Sequence, residues 1–210
     1  MIVAVDGPAA SGKGTLAKRI AQHFRLAHLD TGSLYRAVAL EALELGDPAD
    51  PAVATRAATS LDLSRLEDPR LRGDRAAEAA SVVAAIPGVR AALLDFQRGF
   101  AYRLGGAVLD GRDIGTVVCP DADAKLFLTA TAEARAARRV GELQAAGEKA
   151  IYQRVLEDMK TRDARDSARH VAPLVPADDA IVIDTSALDA DEVFAAALAA
   201  IAAKLAVKKR

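Results

Sequence analysis

Four short stretches carry the residues that could do chemistry. The first, GPAASGKGT over Gly7 to Thr15, nearly fits the phosphate-loop pattern G-x-x-x-x-G-K-[ST]. The misfit is Gly14, where a hydroxyl residue usually follows the lysine; here the hydroxyl comes one place later, on Thr15. Gly7, Gly12 and Gly14 let backbone N–H groups reach anionic oxygens with no Cβ in the way. A helix starting near Lys13 adds unpaired N–H groups and a positive dipole end, and Lys13 brings a point charge to the β- and γ-phosphates. The plain alternative is a glycine turn with an exposed lysine. A strand before the motif and a helix after it favour the phosphate loop.

The other three stretches could hold whatever receives a phosphate. LDTGSLYR, Leu29 to Arg36, puts Thr31 and Ser33 at the end of a short strand and Arg36 about one helical turn further on. Ligands bind beyond the carboxyl ends of strands in an open parallel sheet, so Arg36 is placed to meet an anionic acceptor. LDGRDIGTVV, Leu109 to Val118, clusters Asp110, Arg112 and Asp113 just past an apolar run. A surface ion pair would contribute little there. At a ligand-binding edge, Arg offers a planar fork to a phosphate, and Asp, acceptor-only, can read an amino group such as that on N4 of cytosine. RDARDSAR sets Arg162, Asp166 and Arg169 four and three positions apart, on one helix face, with Arg165 beside them. A charged run is usually a solvated face of i,i+4 pairs. Three arginines aimed one way exceed that need, whereas phosphoryl transfer requires charge neutralisation and exclusion of water.

The elements that must position these residues follow from hydrophobic period. IVAVD (Ile2 to Asp6), AHLD (Ala27 to Asp30), AVLDG (Ala107 to Gly111), AKLFLTA (Ala124 to Ala130) and AIVID (Ala180 to Asp184) read as buried strands. Leu16, Ile20 and Phe24 mark an amphipathic helix from Lys13 to Phe24. Thr31 is a candidate cap for the next, with Leu34, Val38 and Leu45 on its apolar side before Gly46 and Pro48 end it. From about Ala49 to Ala101 the chain is Ala-rich and helical in pattern, broken by Pro51, Pro69, Gly73, Pro87 and Gly88, with no strand: a helical insertion. A charged helical stretch runs from Ala132 to about Arg169, interrupted at Gly147. Asp189 with Glu192 resembles a capping box ahead of a last helix carrying Val193, Leu198, Ile201 and Leu205. The pattern predicts an α/β fold: three layers, α/β/α, around a five-stranded parallel sheet covered on both faces.

Composition narrows the function. The 210 residues are 51% hydrophobic and 27% charged, with a formal net charge of -1, which reads as one soluble globular domain and argues against a general nucleic-acid surface. Aromatic residues, at 4%, are too few for base-stacking platforms. The basic tail Lys208 to Arg210 reads as solvated. The single cysteine, Cys119, allows no intrachain disulfide, and three scattered histidines make a zinc cluster a poor expectation. No signal peptide or membrane-length segment is expected, so the expected location is cytoplasmic. The chain has no asparagine, so the usual guanine-reading Asn-Lys-x-Asp element is missing and a GTPase switch loses its main support.

GKGT in the loop is similar to the nucleoside monophosphate kinases. DGPAASGKGT, LDTGSLYRAVA, DGRDIGTVV, RDARDSAR and VAPLVPADDAIVIDTS together resemble the bacterial cytidylate kinases over nearly the whole chain. The resemblance implies a single P-loop kinase domain with its core at about 1–48, 103–135 and 172–210, an acceptor-binding insertion at about 49–102 and a charged lid at about 136–171, acting as a monomer without nucleic acid or membrane. It implies ATP as donor, CMP and dCMP as acceptors, and Mg²⁺ carried with ATP mostly through water, with no direct protein ligand. It implies Lys13, Arg112, Arg162 and Arg169 as catalytic residues. ATP would be bound by Gly7, Pro8, Ala9, Ala10, Ser11, Gly12, Lys13, Gly14 and Thr15, with Arg139 and Arg165 folding over its phosphates. Arg36, Arg112 and Arg169 would hold the monophosphate; Ser81, Arg90 and Asp113 would read cytosine; Arg162 and Asp166 would meet the ribose, with Thr31 near the acceptor. Asp110 would order water on Mg²⁺ or orient Arg112. One departure stands out. The family often carries a small β-rich piece before the position of Ser81, and here LDLSRLEDPRLRGDRAAEAAS is far shorter, although Leu71, Arg72 and Ser81 match. Alternatives are a kinase acting on UMP, AMP or a shikimate-like acceptor, or a nucleotide-binding switch without turnover.

Overall fold

A computed structural model describes residues 1–145 and 147–208; Lys209 and Arg210 of the basic tail lie outside the described residues. Five strands, β1 (Ile2–Asp6), β2 (Ala27–Asp30), β3 (Ala107–Gly111), β4 (Ala124–Thr129) and β5 (Ile181–Asp184), form one sheet in the order β2-β3-β1-β4-β5. All pairings are parallel, with Ala4 beside Leu109 on one side and beside Lys125 on the other.

The strands are mostly apolar because both faces of the sheet are covered, except at the edge strand β5, where Val182 is exposed. On one face Val3, Val5, Val108, Leu126 and Leu128 pack against Leu16 and Ile20 of α1 (Lys13–Phe24) and against the C-terminal helix. On the other, Ala4, Leu29 and Leu109 meet α2 (Thr31–Leu45), α3 (Pro51–Thr59), α4 (Asp74–Val83) and α5 (Pro87–Ala101) through Leu34, Val38, Val83, Val89 and Leu93. Burying each such large aliphatic side chain stabilises the fold by about 1.5–3 kcal/mol. Two further helices, α6 (Ala132–Ala145) and α7 (Tyr152–Ser167), share a small cluster of Ala136, Leu156 and Met159 that rests on Ala9 and Ala10. The last helix, α8 (Ala190–Lys208), starts at a true capping box: Asp189 Oδ1 accepts from Glu192 N at 2.9 Å, and Glu192 Oε2 accepts from Asp189 N at 2.9 Å. The three-layer α/β/α architecture is the one the pattern predicts.

Local differences have local causes. Asp30, not Thr31, caps α2: its Oδ1 accepts from Ser33 N, and Thr31 is the first helical residue. The buried stripe of α2 ends at Ala42, leaving Leu45 41% exposed beside the Gly46 cap. Between β2 and β3 the described residues are helical, with two short tight turns at Leu63–Glu67 and Pro69–Arg72 and no strand. Pro51, Pro69 and Pro87 sit in the first turns of their elements, where a missing N–H costs nothing, so they start these elements rather than break them. No single described helix is long and apolar enough to cross a membrane.

The sheet order makes the site. From β1 the chain leaves toward β2; from β4 it leaves toward β5, on the opposite side. Such a reversal opens a crevice beyond the carboxyl ends of the strands, and the glycine-rich loop follows β1 directly into it.

Candidate active site

The loop from Gly7 to Gly12 has a backbone only certain residues tolerate. Gly7 has φ 150°, and a Cβ there would stand 2.3 Å from the Leu128 carbonyl oxygen, so the close packing of β1 on β4 demands glycine. Ala10 holds a left-handed φ of 54°, a strain characteristic of functional loops. Gly12, at φ 87°, leads into α1 with no side chain capping it, so first-turn N–H groups face the crevice. Ser11 is fully buried, and its Oγ has no hydrogen-bond partner among the described residues. Lys13 Nζ donates to the Pro8 carbonyl at 3.0 Å. Loss of water and the nearby Arg112 pull its ammonium down to about 7, against the opposing pull of Asp110 and Asp30.

A Cβ on Gly14 would meet Asp110 Oδ2 at an ordinary contact distance of 3.8 Å, so the carboxylate stands beside the place where other phosphate loops carry a hydroxyl. Asp6, at the end of β1, ties the two loops together. Its Oδ1 accepts from Ile114 N and its Oδ2 from Gly115 N, both at 2.8 Å. Burial pushes its carboxyl up to about 7, although both N–H groups pull the other way.

Across from the loop opens a cleft of about 1140 Å³. It brings together Ala9, Ala10, Lys13 and Gly14 from the loop, Thr31 and Arg36 from α2, Ser81 from α4 and Arg90 from α5. Asp110, Arg112 and Asp113 enter at the end of β3, Arg139 from α6, and Arg162, Arg165, Asp166 and Arg169 from α7 and just beyond. Of the sequence-predicted residues, Gly7, Pro8, Ser11 and Gly12 shape the loop without lining the cleft, and Thr15 is exposed outside the lining. Arg169 lies past the end of α7 rather than on its face, yet still turns back to donate to Asp166 Oδ1.

The charges in the cleft are paired in a way the sequence spacing does not suggest. Asp166, 2% exposed, accepts from Ser81 Oγ at 2.9 Å, from Arg112 Nε at 3.1 Å and from Arg169. Burial alone would raise its carboxyl; Arg112, Arg169 and Arg162 together hold it below its usual value. Arg112 thus forms its ion pair with Asp166, and not with Asp110 or Asp113 beside it in sequence. Asp113 accepts from Arg90, and burial still keeps its carboxyl raised. Arg90 also stands 5.8 Å over the Tyr35 ring. Arg36 donates to Asp30 at 2.7 Å. Like that of Arg169, the Nε of Arg162 is buried with no partner among the described residues. Loss of water, then the neighbouring Arg112, pulls this guanidinium down to about 10. Arg139 reaches Asp74 of α4 and Glu142, joining α6 to α4.

Three residues here escape a reading of motifs. His28 Nε2 stands 2.8 Å from Asp110 Oδ1. Arg135, buried, donates to Ala9 O at 3.2 Å and pairs with Asp163, so it fastens α6 and α7 to the phosphate loop. Asp6 closes a strand otherwise buried, and a carboxylate at that place is the one signal the sequence offers for it.

The comparisons with known proteins agree with this geometry. The family model described as cytidylate kinase matches residues 3–203. A protein of Methylocella silvestris named cytidylate kinase is 62% identical over 94% of this chain and 92% of its own length. One from Xanthobacter autotrophicus with the same name is 59% identical over 98% and 99%, and one from Paramagnetospirillum magneticum 61% over 97% and 98%. Among solved structures, an uncharacterised protein from Eubacterium ventriosum superposes with a TM-score of 0.57 at 16% identity over 97% of this chain and 98% of that one, which speaks to the fold alone. With a family model spanning nearly all of it and relatives sharing more than half its residues, the chain belongs to the cytidylate kinase family.

Proposed function

We propose that this protein transfers the γ-phosphoryl group of ATP to CMP, and also to dCMP, giving ADP and the corresponding diphosphate. One observation carries the reading beyond family membership. A phosphate loop faces a second, arginine-lined anion site across the same cleft, and in that second site Arg162 Nε is buried without a partner among the described residues. A switch that only holds a nucleotide needs no second phosphate site.

In this reading Lys13 and the N–H groups at the start of α1 hold the donor phosphates. Arg36, Arg112 and Arg169 take the acceptor phosphate. Arg162 and Asp166 meet the ribose, and Thr31 lies alongside. Ser81, Arg90 and Asp113 read the base, with Asp113 accepting from the N4 amine. Arg139 and Arg165 act from the lid at about 136–171, and the helical segment at about 49–102 carries the acceptor side. The acceptor is a phosphate anion at neutral pH, so no strong general base is needed. The chain's contribution is alignment of the two anions and neutralisation of the charge that spreads over the transferring group. Closure of the segments around the cleft excludes the water that would otherwise hydrolyse ATP.

Mg²⁺ fits the donor set. No group of three or more His, Cys, Asp or Glu side chains gathers among the described residues. Mg²⁺ ordinarily keeps several waters and binds through substrate phosphates with one or two carboxylates. Asp110, with Oδ2 at the start of α1, is the group that would hold those waters, and the ion would neutralise phosphate charge. The test is ADP release by purified protein with Mg-ATP and CMP, dCMP, UMP, AMP, shikimate or no acceptor. Fast turnover with CMP and little without an acceptor is expected. Preference for another acceptor would overturn the base reading, and acceptor-independent behaviour would overturn the kinase reading.

A further inference from the structure

Asp110 is held from behind the cleft. His28 lies on β2, outside the cleft lining, and its Nε2 stands 2.8 Å from Asp110 Oδ1. Strand register explains the meeting. His28 pairs with Val108 and Asp30 with Asp110, and Val108 faces the α1 side of the sheet. With side chains alternating along each strand, His28 and Asp110 therefore emerge on the same side, one pleat apart.

The contact has a defined polarity. Asp110 is 3% exposed, and a carboxylate oxygen accepts, so we assign the proton of this contact to Nε2 of the imidazole. The main chain of Asp110 is fixed as well, because its carbonyl accepts from Thr31 Oγ1 at 2.8 Å. With Oδ1 engaged by His28, Oδ2 is the oxygen turned to the phosphate loop, 3.8 Å from where a Gly14 Cβ would stand. From there Asp110 is one of the two carboxylates that favour the charged form of Lys13.

We propose that His28 is a positioning residue for phosphoryl transfer: it holds the Asp110 carboxylate against the phosphate loop, beside Lys13 and Gly14. The proposal rests on the kinase reading above. Without His28 the carboxylate keeps its burial but loses the donor that selects its rotamer. A reacting assembly misplaced by about 1 Å can lose up to a hundredfold in rate.

The test uses the full chain and four variants, His28→Leu, His28→Gln, Asp110→Asn and the double His28→Leu/Asp110→Asn, with wild type alongside. His28→Leu should lower kcat about tenfold while KM for CMP stays within about twofold, since the acceptor contacts are untouched. His28→Gln should recover most of the rate, because its amide nitrogen reaches the place of Nε2. The double variant should be no slower than Asp110→Asn alone, as expected of two residues acting as one unit. In the ligand-free protein, the ¹⁵N-coupled Nε2 proton of His28 should be visible by NMR in wild type and shifted or lost in Asp110→Asn. Wild-type kcat in His28→Leu, independent rate losses in the double variant, or His28→Gln as slow as His28→Leu would each overturn the proposal. Should His28→Leu not fold, His28→Asn replaces it, since its shorter amide cannot reach Asp110, and the contrast with His28→Gln reads the same way. Absence of CMP-dependent ADP release in wild type would instead overturn the kinase reading, and the NMR comparison would still report on the pair.

Discussion

Binding of ATP should draw a proton from solvent onto Lys13. In the ligand-free cleft its ammonium titrates at about 7, because water is stripped from it and Arg112 lies close. Near pH 8, about a tenth of the protein then carries that proton before ATP arrives. Phosphate oxygens at the loop reverse the balance: an opposite charge within about 4–6 Å raises such a group by about 1–3 units. The expected uptake is then about 0.4–0.9 proton per ATP near pH 8, about 0.4–0.5 near pH 7 and about a tenth near pH 6. The nucleotide adds little of its own near pH 8, since the second ionisation of a phosphate falls near 6. Calorimetric titration with Mg-ATP in Tris and in HEPES, whose ionisation enthalpies differ, reads the uptake directly. Lys13→Met should abolish the difference between buffers. Equal binding heats in both buffers near pH 8, or undiminished uptake in Lys13→Met, would refute the account of the lysine.

Two further outcomes are expected. Asp113→Asn exchanges one acceptor oxygen for a donor opposite the base and should cut the CMP-over-UMP ratio of kcat/KM by about ten- to a hundredfold, the weight of a hydrogen bond to a charged group. Its Tm should also fall, because the buried Arg90 loses its carboxylate partner; an unchanged CMP/UMP ratio removes Asp113 from base reading. Asp6 is raised from 3.8 to about 7, so between those values the folded protein holds a proton that the unfolded chain has released. Its stabilising contribution is full below 3.8 and fades as pH rises through about 7. Asp6→Asn removes that slope, so the Tm of the variant relative to wild type should climb between about pH 4 and pH 7. It starts lower, since one amide oxygen must now serve two N–H donors, and parallel Tm curves would exclude the role.

The sheet and the phosphate loop were legible because their signals are local. Each strand is a short run rich in apolar residues, and the glycine–lysine spacing needs no partner from elsewhere in the chain. The arginine-rich stretches were legible as charge, but their partners were not. Ser81 meets Asp166 across 85 positions and Arg112 meets it across 54, distances over which periodicity carries no information. His28 and Asp110 become neighbours only through the register of β2 on β3. The cap of α2 was misread because Asp30 and Thr31 are both good cap residues, and only the turn into the helix decides between them. The prolines of the helical segment were read as breaks because a break and a start look alike until the N–H accounting of the following turn is known.

The pairing of Asp30, Asp113 and Asp166 with Arg36, Arg90, Arg112 and Arg169 has a consequence for which ions occupy the cleft in a cell. These guanidiniums are not bare charges waiting for any anion, because the protein's own carboxylates already compete for them. Chloride or inorganic phosphate, arriving alone, must displace a tethered rival of high effective concentration and gains only the difference between two similar attractions. A nucleotide anchored also by its base and sugar can meet that threshold with contacts made elsewhere. The carboxylates therefore act as a filter, keeping small, abundant anions out of a site whose charge would otherwise collect them.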